Sequence, residues 1–180
     1  MAHVDIFSLL QVIDNLKHLK RTGWVHHKVP EPETVASHMY RMAVLAMTLD
    51  SKEVDVVKCV KMTLVHDIGE AIVGDITPKC GVSDKEKFKL EEEAVKTIAS
   101  YVPSMKEEWY NLWMEYEKAE TKEAKTVKQL DKFDMVAQAL SYEQKYNLDL
   151  SDFFRSTEGI FTSEPFISWD REVRQKRKSS

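Results

Sequence analysis

Glycine and proline are scarce in this sequence, five of each in 180 residues. Chain breakers that rare argue against many short strands joined by turns and favour long helices. Only two cysteines are present, Cys59 and Cys80, with no CxxC pair, which excludes a disulfide framework and a thiolate zinc site. Cys59 falls in an apolar run and reads as a small buried hydrophobe. No apolar run reaches the ~18 residues of a membrane span. The opening MAHVDIFSLL lacks both the basic start and the long apolar stretch of a secretory signal. A formal net charge of -4 supplies no overall basic character for nucleic acid. The expectation is a reduced, cytoplasmic setting with neither a membrane nor a nucleic acid as partner.

What is present suits a globular, all-α chain. Hydrophobic residues make up 43% and charged residues 31%, enough apolar surface to form a core without staples. With no linker or repeat in view, the expectation is one domain over residues 1–180, with a core over about 5–165 and a short basic tail, RQKRKSS, that frays. Helical spacing of apolar residues predicts helices over 5–20, 34–49, 84–101, 104–118 and 122–146, and shorter ones over 150–157 and 165–177. Another follows Ser51, carries Val54, Val57, Val60 and Leu64, and ends at His66-Asp67. Residues 22–33 and 68–82 read as loops. The helix over 34–49 is apolar nearly all round, which predicts a central position. Met39, Met42 and Met47 read as core filling, and Trp109, Trp113 and Tyr116 as core or dimer contacts.

Within this pattern, a few polar residues stand in apolar surroundings. His38 sits among Val35, Met39 and Met42; His66-Asp67 closes the run Met62-Thr63-Leu64-Val65; Asp131 follows Val127 and Leu130. Each alone says little, because a single histidine is usually a core or surface residue and an HD dipeptide is common. Together they are two imidazoles and two carboxylates on buried helix faces, and a buried unpaired carboxylate costs several kcal/mol. A divalent cation resolves that cost. The mixed N/O set suits Mn, Co, Fe, Ni or Zn, and Mg less well, and a cation so held acidifies water for attack on phosphorus.

The flanking residues resemble a known family. The stretch His66-Asp67-Ile68-Gly69-Glu70-Ala71-Ile72-Val73-Gly74-Asp75-Ile76-Thr77-Pro78 resembles the 5'-deoxynucleotidases of the HD superfamily. Arg21-Thr22-Gly23-Trp24-Val25, the run Pro32 to Ala43, and Lys128-Gln129-Leu130-Asp131-Lys132 extend the likeness over about residues 5–165. The resemblance implies a compact HD-domain bundle of roughly seven helices. His38, His66, Asp67 and Asp131 would hold a first divalent metal. Glu70 would orient water or join a second cation, with Asp75 and the Ile76 carbonyl beside it. Arg21 would reach the phosphate, with Lys79 as a further neutralising charge. Trp24 resembles a tryptophan that discriminates against a ribose 2'-OH, at a spacing from Arg21 that departs by two residues from the bacterial pair. The resemblance further implies a homodimer that hydrolyses (deoxy)nucleoside 5'-monophosphates with one or two cations per subunit. An HD hydrolase of another nucleotide and a non-catalytic nucleotide-binding module stand as alternatives.

Overall fold

The computed structural model describes residues 3–179, and among them it holds ten α-helices and no strand. In chain order these are α1 (Ile6–His18), α2 (Thr22–His26), α3 (Val35–Ala46), α4 (Val56–Thr63), α5 (Glu70–Val73), α6 (Asp84–Ser100), α7 (Lys106–Lys118), α8 (Lys122–Tyr146), α9 (Ser151–Ser156) and α10 (Phe166–Lys178). The fold is all-α. Helices α1, α3, α4, α6 and α8 each start behind a short polar side chain, respectively Asp5, Thr34, Asp55, Ser83 and Thr121, which accepts a free N–H of the first turn. Such a cap is worth ~1 kcal/mol, so these starts are written locally in the sequence.

The 25-residue α8 is the axis of the molecule. Its first half buries Val127, Leu130 and Phe133 against Met42 of α3, Met62 of α4 and Leu112 of α7. Its second half buries Val136, Ala139 and Leu140 against Trp24 and Phe154. A helix enclosed on several sides also buries its polar residues, here Gln129, Asp131, Asp134 and Gln138. Each then needs a partner or costs stability. Gln129 finds one in the backbone N–H of Thr162, 2.7 Å away, which closes the segment before α10. The other three turn toward one end of α3, where the candidate site lies.

Several expectations change. The helices number ten rather than roughly seven, because residues 22–33 contain α2 and residues 68–82 contain α5 and a 3-10 turn over Pro78–Cys80. These pieces are too short for apolar periodicity to show. Helix α4 begins behind Asp55 rather than after Ser51. Helix α3 does pack on α1, α4 and α8, yet Tyr40 and Val44 are exposed, and Met47 is surface rather than core filling at 64% exposure. The basic tail is helical through Lys178. It is the last part of α10, and Arg177 Nε sits 2.7 Å from Glu143 of α8.

Candidate active site

Four side chains far apart in sequence meet between α3, α8 and the turn that follows α4. Helix α3 delivers His38, which is fully buried. Helix α4 stops at Thr63, and the chain then turns through residues 64–69. That turn lets the neighbours His66 and Asp67 aim into the same space, which a continuing helix would prevent by setting them ~100° apart. Helix α8 supplies Asp131. Asp67 Oδ2 lies 3.1 Å from His66 Nε2 and 3.7 Å from His38 Nε2, and Asp131 Oδ1 lies 3.3 Å from His38 Nε2. His38, His66 and Asp67 each place one donor atom within 4.8 Å of the others.

These separations fit a shared cation. Ligands ~2.1 Å from a metal stand about 3 Å from their neighbours in the shell. The hydrogen bonding of the histidines fits as well. His66 Nδ1 lies 2.9 Å from the Thr63 carbonyl, an acceptor only, so Nδ1 carries the proton. His38 Nδ1 lies 2.7 Å from Asp134 Oδ2. The opposite nitrogens, His38 Nε2 and His66 Nε2, are buried without a hydrogen-bond partner, and so is Glu70 Oε2. Buried polar atoms rarely stay unsatisfied. The two Nε2 atoms lie beside the same Asp67 oxygen, an arrangement a bound cation would complete.

The charges around this space oppose their own burial. Burial pushes Asp67 toward protonation, but His66, His38 and Arg21 hold it well below the usual carboxylate range. Burial acts on Asp131 in the same way, and Lys132, His38 and Arg21 keep it ionised. Burial and the Arg21 charge disfavour protonated His38, yet Asp131 and Asp134 raise it to about 9. Cation binding must therefore displace a proton. Glu70 is pushed well up by burial and by Asp67 and Asp75, against the pull of Arg21.

The remaining predicted residues surround a cavity of about 570 Å³ that opens onto this cluster. Arg21, just ahead of α2, places its guanidinium 3.6 Å from Asp67 and 3.9 Å from Glu33. Asp75 accepts the Thr22 backbone N–H at 2.6 Å and so pins the start of α2 beside Arg21. Ile76 and Lys79 line the same cavity, with no contact to the His/Asp cluster of the kind seen for Arg21. Trp24 is packed into the wall, 1% exposed, with its ring against Phe153 at 4.4 Å between centroids. Its indole N–H donates to Glu33 Oε1 at 3.0 Å, so that donor is already engaged.

Sequence reasoning missed four participants. Tyr116 of α7, expected to be core or a dimer contact, is indeed buried, but it stands inside the site. Its ring is 4.9 Å from His66, and its hydroxyl donates to Asp131 Oδ2 at 3.3 Å. Lys132 Nζ lies 3.2 Å from the same oxygen, and Lys128 Nζ covers the Tyr116 ring at 3.7 Å. Asp131 thus keeps Oδ1 toward His38 while Oδ2 is held from behind. Asp134 is the fourth. A signal for it was available, since Asp131 and Asp134 are three apart and share a helix face.

Comparisons with known proteins show the family of the chain. Residues 13–166 match the HD domain family. A mouse protein named 5'-deoxynucleotidase HDDC2 is 41% identical over 178 residues, covering 97% of this chain and 89% of that one. The fission-yeast protein named 5'-deoxynucleotidase hdd1 is 40% identical over 183 residues, covering 97% and 91%. Among solved structures, a conserved hypothetical protein from Pyrococcus furiosus superposes with a TM-score of 0.76 at 31% identity, covering 97% of this chain and 99% of that one. With the HD domain family matched over residues 13–166 and relatives 40–41% identical over nearly the whole chain, the chain belongs to the HD-domain family of metal-dependent phosphohydrolases.

Proposed function

We propose that this protein is a 5'-deoxynucleotidase that cleaves the phosphate monoester of a deoxynucleoside 5'-monophosphate to nucleoside and phosphate. The observation that carries the reading is the pair of buried, unpartnered Nε2 atoms of His38 and His66 facing the carboxylates of Asp67 and Asp131. Relatives at 40–41% identity that bear this activity in their names support it.

In this reading His38, His66, Asp67 and Asp131 hold a divalent cation. The cation supplies positive charge for the phosphoryl oxygens and acidifies water. Arg21 takes the phosphate with a planar fork that Lys would lack. Burial works against its charge, but the carboxylates of Asp131, Asp67, Asp75 and Glu33 outweigh it and keep the guanidinium charged. Glu70, with one oxygen unpartnered, orients the attacking water. Asp75 holds the Arg21 loop through Thr22, and its second oxygen, with the Ile76 carbonyl, extends the donor set toward a second cation. Lys79 adds charge at the cavity rim. Trp24, buried behind Phe153, braces the wall of the sugar pocket.

The subunit is proposed to work as a homodimer. An apolar groove of about 410 Å³ between α1, α3 and α4 is lined by Ile13, Tyr40 and Leu64, all exposed. A monomeric mass by light scattering overturns that part. The activity itself is tested by phosphate release from a panel of deoxy- and ribonucleoside monophosphates, cyclic nucleotides and triphosphates, with added Mn, Co or Mg. Release from the deoxynucleoside monophosphates, lost in Asp131→Asn, is expected. Folded protein that releases none with any metal refutes the proposal.

A further inference from the structure

Asp134 is a carboxylate with no exposure at all, on a helix that carries a proposed metal ligand one turn earlier. Its two oxygens are divided. Oδ2 is 2.7 Å from His38 Nδ1, and Oδ1 is 2.5 Å from Arg41 Nε. Arg41 also donates to the Asp134 carbonyl at 3.0 Å and to the Gln138 side chain, and it stands 3.8 Å from Glu33. Arg41 can only donate, so Oδ1 is committed as an acceptor, and the whole carboxylate is oriented. Oδ2 is then presented to His38 as an acceptor too. A carboxylate is acceptor-only when ionised, and the fixed positive charge of Arg41 against Oδ1 favours that form.

From this geometry we infer that Asp134 is a positioning residue that fixes the tautomer of His38. By accepting from Nδ1 it requires a proton there, which leaves Nε2, facing Asp67 and Asp131, as the nitrogen that gives up its proton to a cation. A ligating imidazole needs that nitrogen bare, and the partner on its other nitrogen sets both ring orientation and basicity. The chain Arg41–Asp134–His38 therefore sets how tightly the site takes its cation. The inference rests on the proposed reading of His38 as a ligand. His66 uses a backbone carbonyl for the same purpose, so mutation can remove this control at His38 alone.

The bland alternative is that Asp134 merely neutralises Arg41. The two roles separate in Asp134→Asn. Arg41 demands an oxygen at the Oδ1 position, so the new amide nitrogen must face His38 Nδ1. Nδ1 then becomes an acceptor and the imidazole proton moves to Nε2, where Asp131 Oδ1 at 3.3 Å receives it. Every buried group keeps a partner, but the ligating nitrogen is blocked. The metal-free variant should stay folded, with a thermal midpoint close to that of the parent protein.

The test is titration calorimetry of Mn(II) or Zn(II) into metal-free protein, for the parent and for Asp134→Asn, beside thermal melts of both. The expected result is a parent that binds and a variant weakened about 10–100-fold. Equal affinities in two folded proteins overturn the inference while leaving the function reading intact. A parent that binds neither metal overturns both. Should the variant not fold, two-bond proton–nitrogen NMR of the Zn(II)-loaded parent decides. The expected spectrum shows His38 protonated at Nδ1 and metal-bound at Nε2, and the reverse assignment refutes the role given to Asp134.

Discussion

Gly69 offers a quantitative test of how closely the site is packed. It precedes Glu70 and has an ordinary right-handed conformation, φ -60 and ψ -28. By conformation alone, Gly69→Ala should stabilise the protein by ~0.4–1 kcal/mol, because it narrows the unfolded ensemble. Space argues the other way. A Cβ there would stand 3.2 Å from the Glu91 carbonyl oxygen and 3.2 Å from Val95 Cγ2, both on α6. The carbonyl belongs to a helix backbone and yields little, so α5 must back away by a few tenths of an ångström. Overpacking of this kind costs ~1–3 kcal/mol, which outweighs the conformational gain and leaves a net loss of about 1–2 kcal/mol. For a chain of this size the melting temperature should fall by roughly 2–8 °C. The same displacement moves Glu70, the next residue. A 1 Å misplacement at a reacting centre can cost ~100-fold, so a smaller shift should lower kcat several-fold with little change in KM. Differential scanning calorimetry and steady-state kinetics on the purified variant read both effects. A variant that melts higher than the parent with unchanged kcat would show that α5 and α6 are not in the contact described and would refute the reasoning.

Two further outcomes follow from the charges of the site. Stripping the cation with a chelator removes binding to the folded state alone, which at a hundredfold excess of metal over Kd is worth ~2.7 kcal/mol. The melting temperature should drop by about 5–11 °C and recover on adding metal back; an unchanged melt contradicts a bound cation. Burial, opposed by Lys87, raises Glu91 to about 7 from its ordinary 4.5. The folded form thus holds the proton more tightly than the unfolded one, and stability falls as pH rises from about 4.5 to about 7. In chelator-treated protein, Glu91→Gln should therefore melt higher than the parent above pH 7 and equal to it below pH 4.5. A pH-independent difference sinks the assignment.

How much of this was legible in advance differs from residue to residue. The start of α8 behind Thr121 and of α6 behind Ser83 could be read because caps and apolar periodicity are local and repeat over several turns. The four clustered donors could be named because each interrupts an apolar face, and burial of such groups demands a reason. Helices α2 and α5, of five and four residues, carry no period to detect. Trp24 was assigned to the substrate, and nothing in the chain order announced that Glu33 takes its N–H.

The primary structure alone determined the helical class, the starts of long capped helices such as α6 and the kinds of donor atom available, since these depend on residues near one another in the chain. Tertiary packing alone decided which of those donors share a space and which nitrogen of each ring faces it. Enclosure of α8 on several sides buried Asp131 and Asp134 together and forced them to divide their oxygens between His38, Tyr116, Lys132 and Arg41. Those partners lie up to 96 positions away. Only a folded chain brings such distant groups close enough for hydrogen bonds and charge to choose between them, because a hydrogen bond needs ~3 Å and exposed charges are screened beyond ~10 Å.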